Sequence, residues 1–412
     1  MTRQLIGCAL LAICMGCSEI PLASEEDTLS TLEKAAVELE TTLGREARGL
    51  EALLDPGLTQ AQAEAFAGKH SVIIVRPGES IQDAVDQAPP GSVIRIEPGT
   101  YQEAITVDKP GLRIIGMTVN NRRVVIENPG EEDDGIKVTD AGDGFTLAYV
   151  TVRGFGENGV LLTGVERFAL VGVHTEDNGE YGLFSVLSSY GIISTSSATG
   201  HADAGIYVGE SNTVLIRHCT ANGNVIGIEI ENSTNIAVSR NQSYGNTAGL
   251  VAVLLPGLEV KVASDVFITD NRIWDNNLEN FAEPGELASF IPSGSGLLVI
   301  GTDRALVKQN RVTGNDFVGI GVASTCVLAL LAGVPCEAFA VDIEPNPDGV
   351  EVRRNNATGN GAAPPPIPLP GVDLFWDVSG TGNCWKDNIF DTSFPPALPS
   401  CEDHRTRPHG PG

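Results

Sequence analysis

Aromatic residues are scarce in this 412-residue chain, at 5%, and charged residues make up only 19%. Basic residues are scarcer still: 26 stand against 53 acidic ones, for a formal net charge of −27. Such a surface repels nucleic acid and anionic lipid, which excludes binding of a polyanion unless a cation intervenes. With few rings available, the core must be aliphatic, and the 42% of apolar residues suffice for a large one. Membrane-spanning runs are missing. The N-terminal apolar run, Leu5–Met15, has 11 residues, where a transmembrane helix needs about 20. Nor does the spacing of Cys and His in the body of the chain suggest zinc or haem.

What the chain has instead is glycine, 47 of them, and a pattern. One column of residues is Asn178, His201, Asn224, Asn246, Asn276, Asn315 and Asn360. A second, five residues upstream, is Val173, Ser196, Cys219, Asn241, Asn271, Asn310 and Asn355. Both advance by 23, 23, 22, 30, 39 and 45 residues, one period of about 22 interrupted by insertions. A third column is the glycine that opens a short apolar strand, at 135, 159, 182, 205, 227, 249, 296 and 319. A period of this size means a solenoid, and Asn and Gly at the corners of short β-segments describe an all-β, parallel β-helix. Asn241, Asn271, Asn310 and Asn355 are expected to stack as a buried ladder between coils.

The N-terminus reads as a secretion signal over residues 1–16, with Arg3 as its positive start and Gly16-Cys17 at its end. A Cys after a small residue at that distance resembles the bacterial lipoprotein cleavage box, although Cys14 stands where Leu is usual. That reading lipidates Cys17, places the chain in the cell envelope and makes the lipid anchor its sole membrane contact. Ser18 is not the Asp associated with inner-membrane retention, which favours the outer membrane or a periplasm-facing location. Cys326 with Cys336 and Cys384 with Cys401 bracket a loop and the C-terminal tail, as disulfides in an oxidising space would.

Residues 17–70 form an acidic preface with helical spacing of Leu29, Leu32, Ala36, Leu39, Leu43, Leu50 and Leu54, a stalk or a helix laid on the solenoid. The β-helix occupies 71–401, with a helix at 80–88 capping its open first coil. Residues 402–412 read as a disordered tail. Insertions at roughly 253–264, 281–294 and 324–347 depart from the period and are candidates to wall a groove.

Four segments carry a family resemblance: residues 75–116, "DAGIYVG" (203–209), "GIEIENS" (227–233) and the ending "GTGNCW…LPSC". They look like bacterial right-handed parallel β-helix repeat proteins of the pectate-lyase-like superfamily. Its members include polysaccharide lyases, mannuronan epimerases and a periplasmic copper-maturation factor. The resemblance covers about 71–401 and implies a fold more than an activity.

In the strand after each column glycine, alternate residues point inward. The outward ribbon is Lys137, Leu161, Phe184, Tyr207, Glu229, Val251, Leu298 and Gly321, mostly apolar. Lyases of the superfamily display acids and bases there, so this chain departs from that pattern. An exposed apolar ribbon needs a cover, from the N-terminal helix, from the insertion "LVAVLLPGLEV", or from a partner. Tyr207 and Glu229 are the polar exceptions, with His201 and Asp203 at the preceding corner. These four are the candidate catalytic residues for removing and returning a proton at C5 of a uronate. Glu231, Arg217 and His218 are candidates for binding it, the last two by positive charge. The plainer reading of His201 is a ladder residue replacing Asn. Calcium is the cofactor candidate, since "GEEDDG" (130–135) and "EDNGE" (176–180) are acidic corners, though neither has a recognised loop spacing. The expectation is a cell-envelope lipoprotein that binds, and in its enzymatic version modifies, a polysaccharide by lyase or epimerase chemistry. The alternative is a non-catalytic scaffold docking an envelope protein on the ribbon.

Overall fold

The computed structural model describes residues 30–54, 71–120 and 122–401. The expectations for residues 1–16, Cys17 and residues 402–412 lie outside the described residues. Within them the chain winds into three sheets of 12, 11 and 10 strands, each strand paired in parallel with its counterpart one coil away. One coil shows the plan: Ala204–Gly209, Asn212–Arg217 and Thr220–Asn222, followed by Ile226–Glu231 stacked on the first. Inward Ile and Val from all three sheets form one continuous core along the solenoid.

The columns seen in the sequence are the corners of this coil. Asn271 Oδ1 accepts from the backbone N–H and Nδ2 of Asn241, at 2.9 and 3.0 Å. Asn271 in turn donates from the same two groups to Asn310 Oδ1, at 2.9 and 3.0 Å. Buried corner backbone is thereby satisfied without water, which a solenoid core requires. The column glycine has a steric cause. A Cβ on Gly227 would lie 2.6 Å from the carbonyl oxygen of Gly249 and 2.8 Å from Asn246 Nδ2, so no larger residue fits beneath the ladder.

Each sheet presents its outer face to something different. Helix α1 (Thr31–Leu53) lies across the 12-stranded sheet, the second of the two arrangements its sequence allowed. Ser30 and Glu33 form its capping box, with Glu33 N–H donating to Ser30 Oγ at 3.1 Å and Ser30 N–H to Glu33 Oε2 at 2.8 Å. Leu32, Ala36, Leu39, Leu43 and Ala47 pack on Leu215, Ala237, Phe267 and Leu306. The 10-stranded sheet faces solvent with polar and aromatic side chains, among them Tyr244 stacked on Trp274 at 4.4 Å. The 11-stranded sheet carries the ribbon described above, and the insertions cover it.

Both ends are closed. Helix α2 (Ile81–Gln87), capped by Ser80, buries Ile81, Ala84 and Val85 against the first coil. At the far end Cys384 is bonded to Cys401, and Trp385 plugs the last coil. Cys326 and Cys336 are bonded within the third insertion, while Cys219 is a buried free thiol in the ladder. Among the described residues no helix is long and apolar enough to cross a membrane.

Candidate active site

The ribbon holds polar groups on two adjacent rungs. Parallel register sets Tyr207 beside Glu229, and Gly209 beside Glu231. The bare Gly209 matters, because a Cβ there would lie within 2.1 Å of the Tyr207 hydroxyl. The tyrosine therefore lies along its own strand and bonds the Glu231 carboxylate on the next rung. Tyr181, one coil earlier, donates to Asp203 Oδ2 at 2.7 Å. The rings of Tyr181, Phe184 and Tyr207 pack together, with centroids 4.4 to 5.2 Å apart.

The insertions roof this cluster and are themselves pinned. Asn232 Nδ2 donates to the carbonyls of Leu255 and Val260, at 2.8 and 2.6 Å, and its Oδ1 accepts from Leu255 N–H at 2.7 Å. Asn280 Nδ2 holds the carbonyls of Ala288 and Ile291, at 2.8 and 2.9 Å. The Thr325 hydroxyl ties the third insertion to the Leu254 carbonyl at 2.8 Å. Leu255, Ala288, Ile291 and Leu328 then cover Val251, Leu298 and Phe375 of the ribbon. What remains open is a cavity of about 150 Å³, lined by Tyr181, Asp203, Glu229, Glu231 and Glu286 among apolar side chains of the roof.

Burial dominates the electrostatics. It pushes the Asp203 carboxyl up to about 6, against the Tyr181 hydrogen bond, with Glu180 and Glu286 adding repulsion. It pushes Glu231 up to about 7, against the bond from Tyr207, with Asp203 and Glu210 nearby. Glu229 is raised well above the carboxylate range by burial first and then by Asp203 and Glu231. Both tyrosines are pushed far up by burial and by the surrounding carboxyls, so they are fixed hydrogen-bond donors. Carboxyls that titrate near neutrality beside tyrosine donors are equipped for general acid–base chemistry.

Of the residues singled out in the sequence, Asp203, Tyr207, Glu229 and Glu231 come together here. Three do not. His201 is fully buried in the ladder, Nδ1 3.2 Å from the Asn178 carbonyl and Nε2 3.2 Å from Thr175 Oγ1. Burial lowers its pKa to about 4, which keeps it neutral and inside the wall. Arg217 is on the 12-stranded sheet beneath α1, where it donates to Ser194 Oγ and the Gly44 carbonyl, each at 3.3 Å. His218 takes the left-handed corner after it, at φ +53°, and is exposed there. Arg217 ends the next strand of the coil, which belongs to a different sheet, and His218 follows at its corner, so both lie away from the ribbon.

Tyr181 was not among the expected site residues, since it precedes the column glycine and falls outside the strand that alternation treats. The glycine turns the corner, so the residue before it also faces out, as Ala204, Ile226, Ala248 and Val318 do in other coils. Aligning that position down the repeats picks out Tyr181 as its polar aromatic member. Glu286 comes from an insertion, and nothing periodic points to it.

Comparison with known proteins agrees on the architecture. Residues 111–255 match the family described as "Right handed beta helix region". No curated protein matches the chain by sequence. Among solved structures it is similar to the A-module of the Azotobacter vinelandii mannuronan C-5 epimerase AlgE4, at 15% identity and a TM-score of 0.55, over 82% of this chain and 92% of that one. The AlgE6 A-module from the same organism gives 14% identity and 0.56, over 76% and 89%. Tailspike protein 3 of bacteriophage CBA120 gives 11% identity and 0.50, over 78% and 49%. The chain folds as a right-handed parallel β-helix.

Proposed function

We propose that this chain binds an extracytoplasmic polysaccharide and modifies it at the Asp203–Glu229–Glu231 cavity, as a cell-envelope protein anchored through Cys17. The observation that carries the reading is a set of three carboxyls on adjacent coils, Glu229 and Glu231 buried and Asp203 half-buried, two of them bonded by tyrosines, in an open cavity on the ribbon face. Mannuronan epimerases of the same fold act on a polysaccharide, which supports the substrate class.

The reaction follows from what the cavity holds. A protonated carboxyl can deliver its proton to a glycosidic oxygen while an ionised neighbour takes one from water, which cleaves the bond with nothing further required. Elimination or C5 epimerisation needs, besides base and acid, a group that offsets the charge of the uronate carboxylate. Arg217 and His218 stand elsewhere, and no Lys, Arg or His lines the cavity. Lyase or epimerase chemistry would therefore draw that charge from an added cation, calcium being the candidate.

A protein-docking scaffold is the less favoured reading, because the roof already covers the ribbon from Val251 onward.

The test is NMR of polymannuronate, polygalacturonate and neutral or amino-sugar glycans mixed with the full chain, each with and without calcium. New reducing-end signals are expected from at least one polymer, and Glu229→Gln should abolish them without unfolding the protein. Unsaturated or C5-inverted uronate signals that depend on calcium would instead establish the lyase or epimerase version. Unchanged spectra throughout would sink the enzymatic reading.

A further inference from the structure

We propose that the unit bound in this cavity carries a protonated amine, so that the polysaccharide is an amino-sugar polymer. The inference rests on the reading of the cavity as a glycan site and deepens it.

Hydrogen-bond capacity comes first. The Tyr181 hydroxyl is spent on Asp203 and the Tyr207 hydroxyl on Glu231. Glu229 is 6% exposed, lines the cavity, and its carboxyl has no hydrogen-bond partner among the described residues. Apart from the proton that a neutral carboxyl carries, the cavity therefore offers acceptors and no free donor, and a buried carboxyl without a partner is costly. An ammonium group brings three donors and no acceptor.

Charge points the same way. Asp203, Glu229 and Glu231 face one another, with Glu180, Glu210 and Glu286 close enough to raise their titration further. No basic side chain lines the cavity. A uronate would add another negative charge to this group, whereas an ammonium offsets it. A divalent cation is the rival ligand. Among the described residues, however, no three Asp, Glu, His or Cys side chains are arranged to hold a metal ion. The acids surround a cavity without converging on a point, which suits an ammonium better than the short, shared oxygen contacts that calcium demands. Tyr181 adds aromatic surface to the wall, and cations pack favourably on such rings.

Calorimetry of the full chain at about pH 5, where an amino-sugar amine is predominantly charged, tests this in two buffers of different ionisation enthalpy. The probes are chitosan oligomers, their N-acetylated counterparts, oligomannuronate and butylammonium. Chitosan oligomers should bind at least tenfold more tightly than N-acetylated ones. They should also release protons, because an ammonium draws the carboxyls toward ionisation. Glu229→Gln should weaken them at least tenfold. Equal or tighter binding of the acetylated or uronate oligomers, or proton uptake, would overturn the inference. So would silence from every probe. Butylammonium bound with proton release, alongside no oligosaccharide of any charge, would uphold the ammonium site and defeat the glycan reading instead.

Discussion

A ladder position asks a side chain for one acceptor and one donor at fixed points, and Asn meets that demand on coil after coil. His201 fills the position with a ring that makes other contacts: Nδ1–H donates to the Asn178 carbonyl, and Nε2 lies 3.2 Å from Thr175 Oγ1. Its own backbone N–H continues the ladder by donating to Asn224 Oδ1 at 3.1 Å. His201→Asn should therefore leave stability within about 1 kcal/mol and turnover within twofold. His201→Ala, which orphans the Asn178 carbonyl, should cost about 1–3 kcal/mol in urea unfolding. If the Asn variant folds normally but loses turnover, the histidine belongs to the chemistry after all. The same residue shows how legible the site was. Its ladder spacing could be read directly from the sequence, while its neighbourhood to Asp203 suggested catalysis. Spacing was the better guide, because the corner fixes where the ring points. Tyr207, Glu229 and Glu231 were readable because alternation along a strand and stacking between coils leave a side chain little choice of face, and Asp203 because it stands at the corner just before that strand.

At the scale of elements the sequence is less decisive. The apolar stripe of α1 matched any aliphatic sheet face, and two of the three faces are aliphatic, so the stripe alone did not choose between them. The choice is made by polar pairs that periodicity does not reveal. Glu33 pairs with Lys308 at 2.7 Å, the Glu40 carboxylate with Arg240, and the Gly44 carbonyl with Arg217. These contacts run α1 from the later coils back toward the earlier ones. Burial alone would raise the Glu33 carboxyl, but the bonds from Lys308 and from Ser30 N–H outweigh it and hold it below its ordinary value. Lys308→Ala should thus leave a buried charge uncompensated and cost about 3 kcal/mol. The loss should be read as faster hydrogen exchange in α1 while the ladder stays protected. The double change Glu33→Gln with Lys308→Met should recover most of it, since both charges go together. Unaltered exchange in α1 after Lys308→Ala would show that the apolar stripe alone docks the helix. The roof over the ribbon was similarly visible as three insertions. Which side chains it would bring into the cavity was not visible, because loops of irregular length carry no register.

Taken as a whole, the molecule combines a net charge of −27 with a cavity that concentrates carboxyls out of water, and the two act on stability in the same direction. Asp203, Glu229 and Glu231 have folded-state pKa values above those of an unfolded chain, up to about 6 and 7 for the first and last. The folded state therefore binds more protons than the unfolded state between about pH 4.5 and 7, and stability must fall as pH rises through that window. Repulsion across the acidic surface adds to the fall and is screened by salt. Glu33 has the opposite sign. Its folded pKa is depressed, so its contribution is present above the unfolded value and disappears as pH drops through the folded one. Tm should accordingly peak near about pH 5, decline by several degrees toward pH 8, and decline less in high salt. Replacing the three carboxyls together, Asp203→Asn with Glu229→Gln and Glu231→Gln, should flatten that decline and raise Tm at pH 8. The same replacement should abolish turnover, because a cavity that keeps carboxyls protonated near neutrality does so at the expense of the fold. Thermal unfolding of both proteins across this range decides the point. A wild-type Tm that rises between pH 5 and 8 would mean that the three carboxyls are ionised and compensated in the folded protein, and the acid–base reading of the cavity would fall with it.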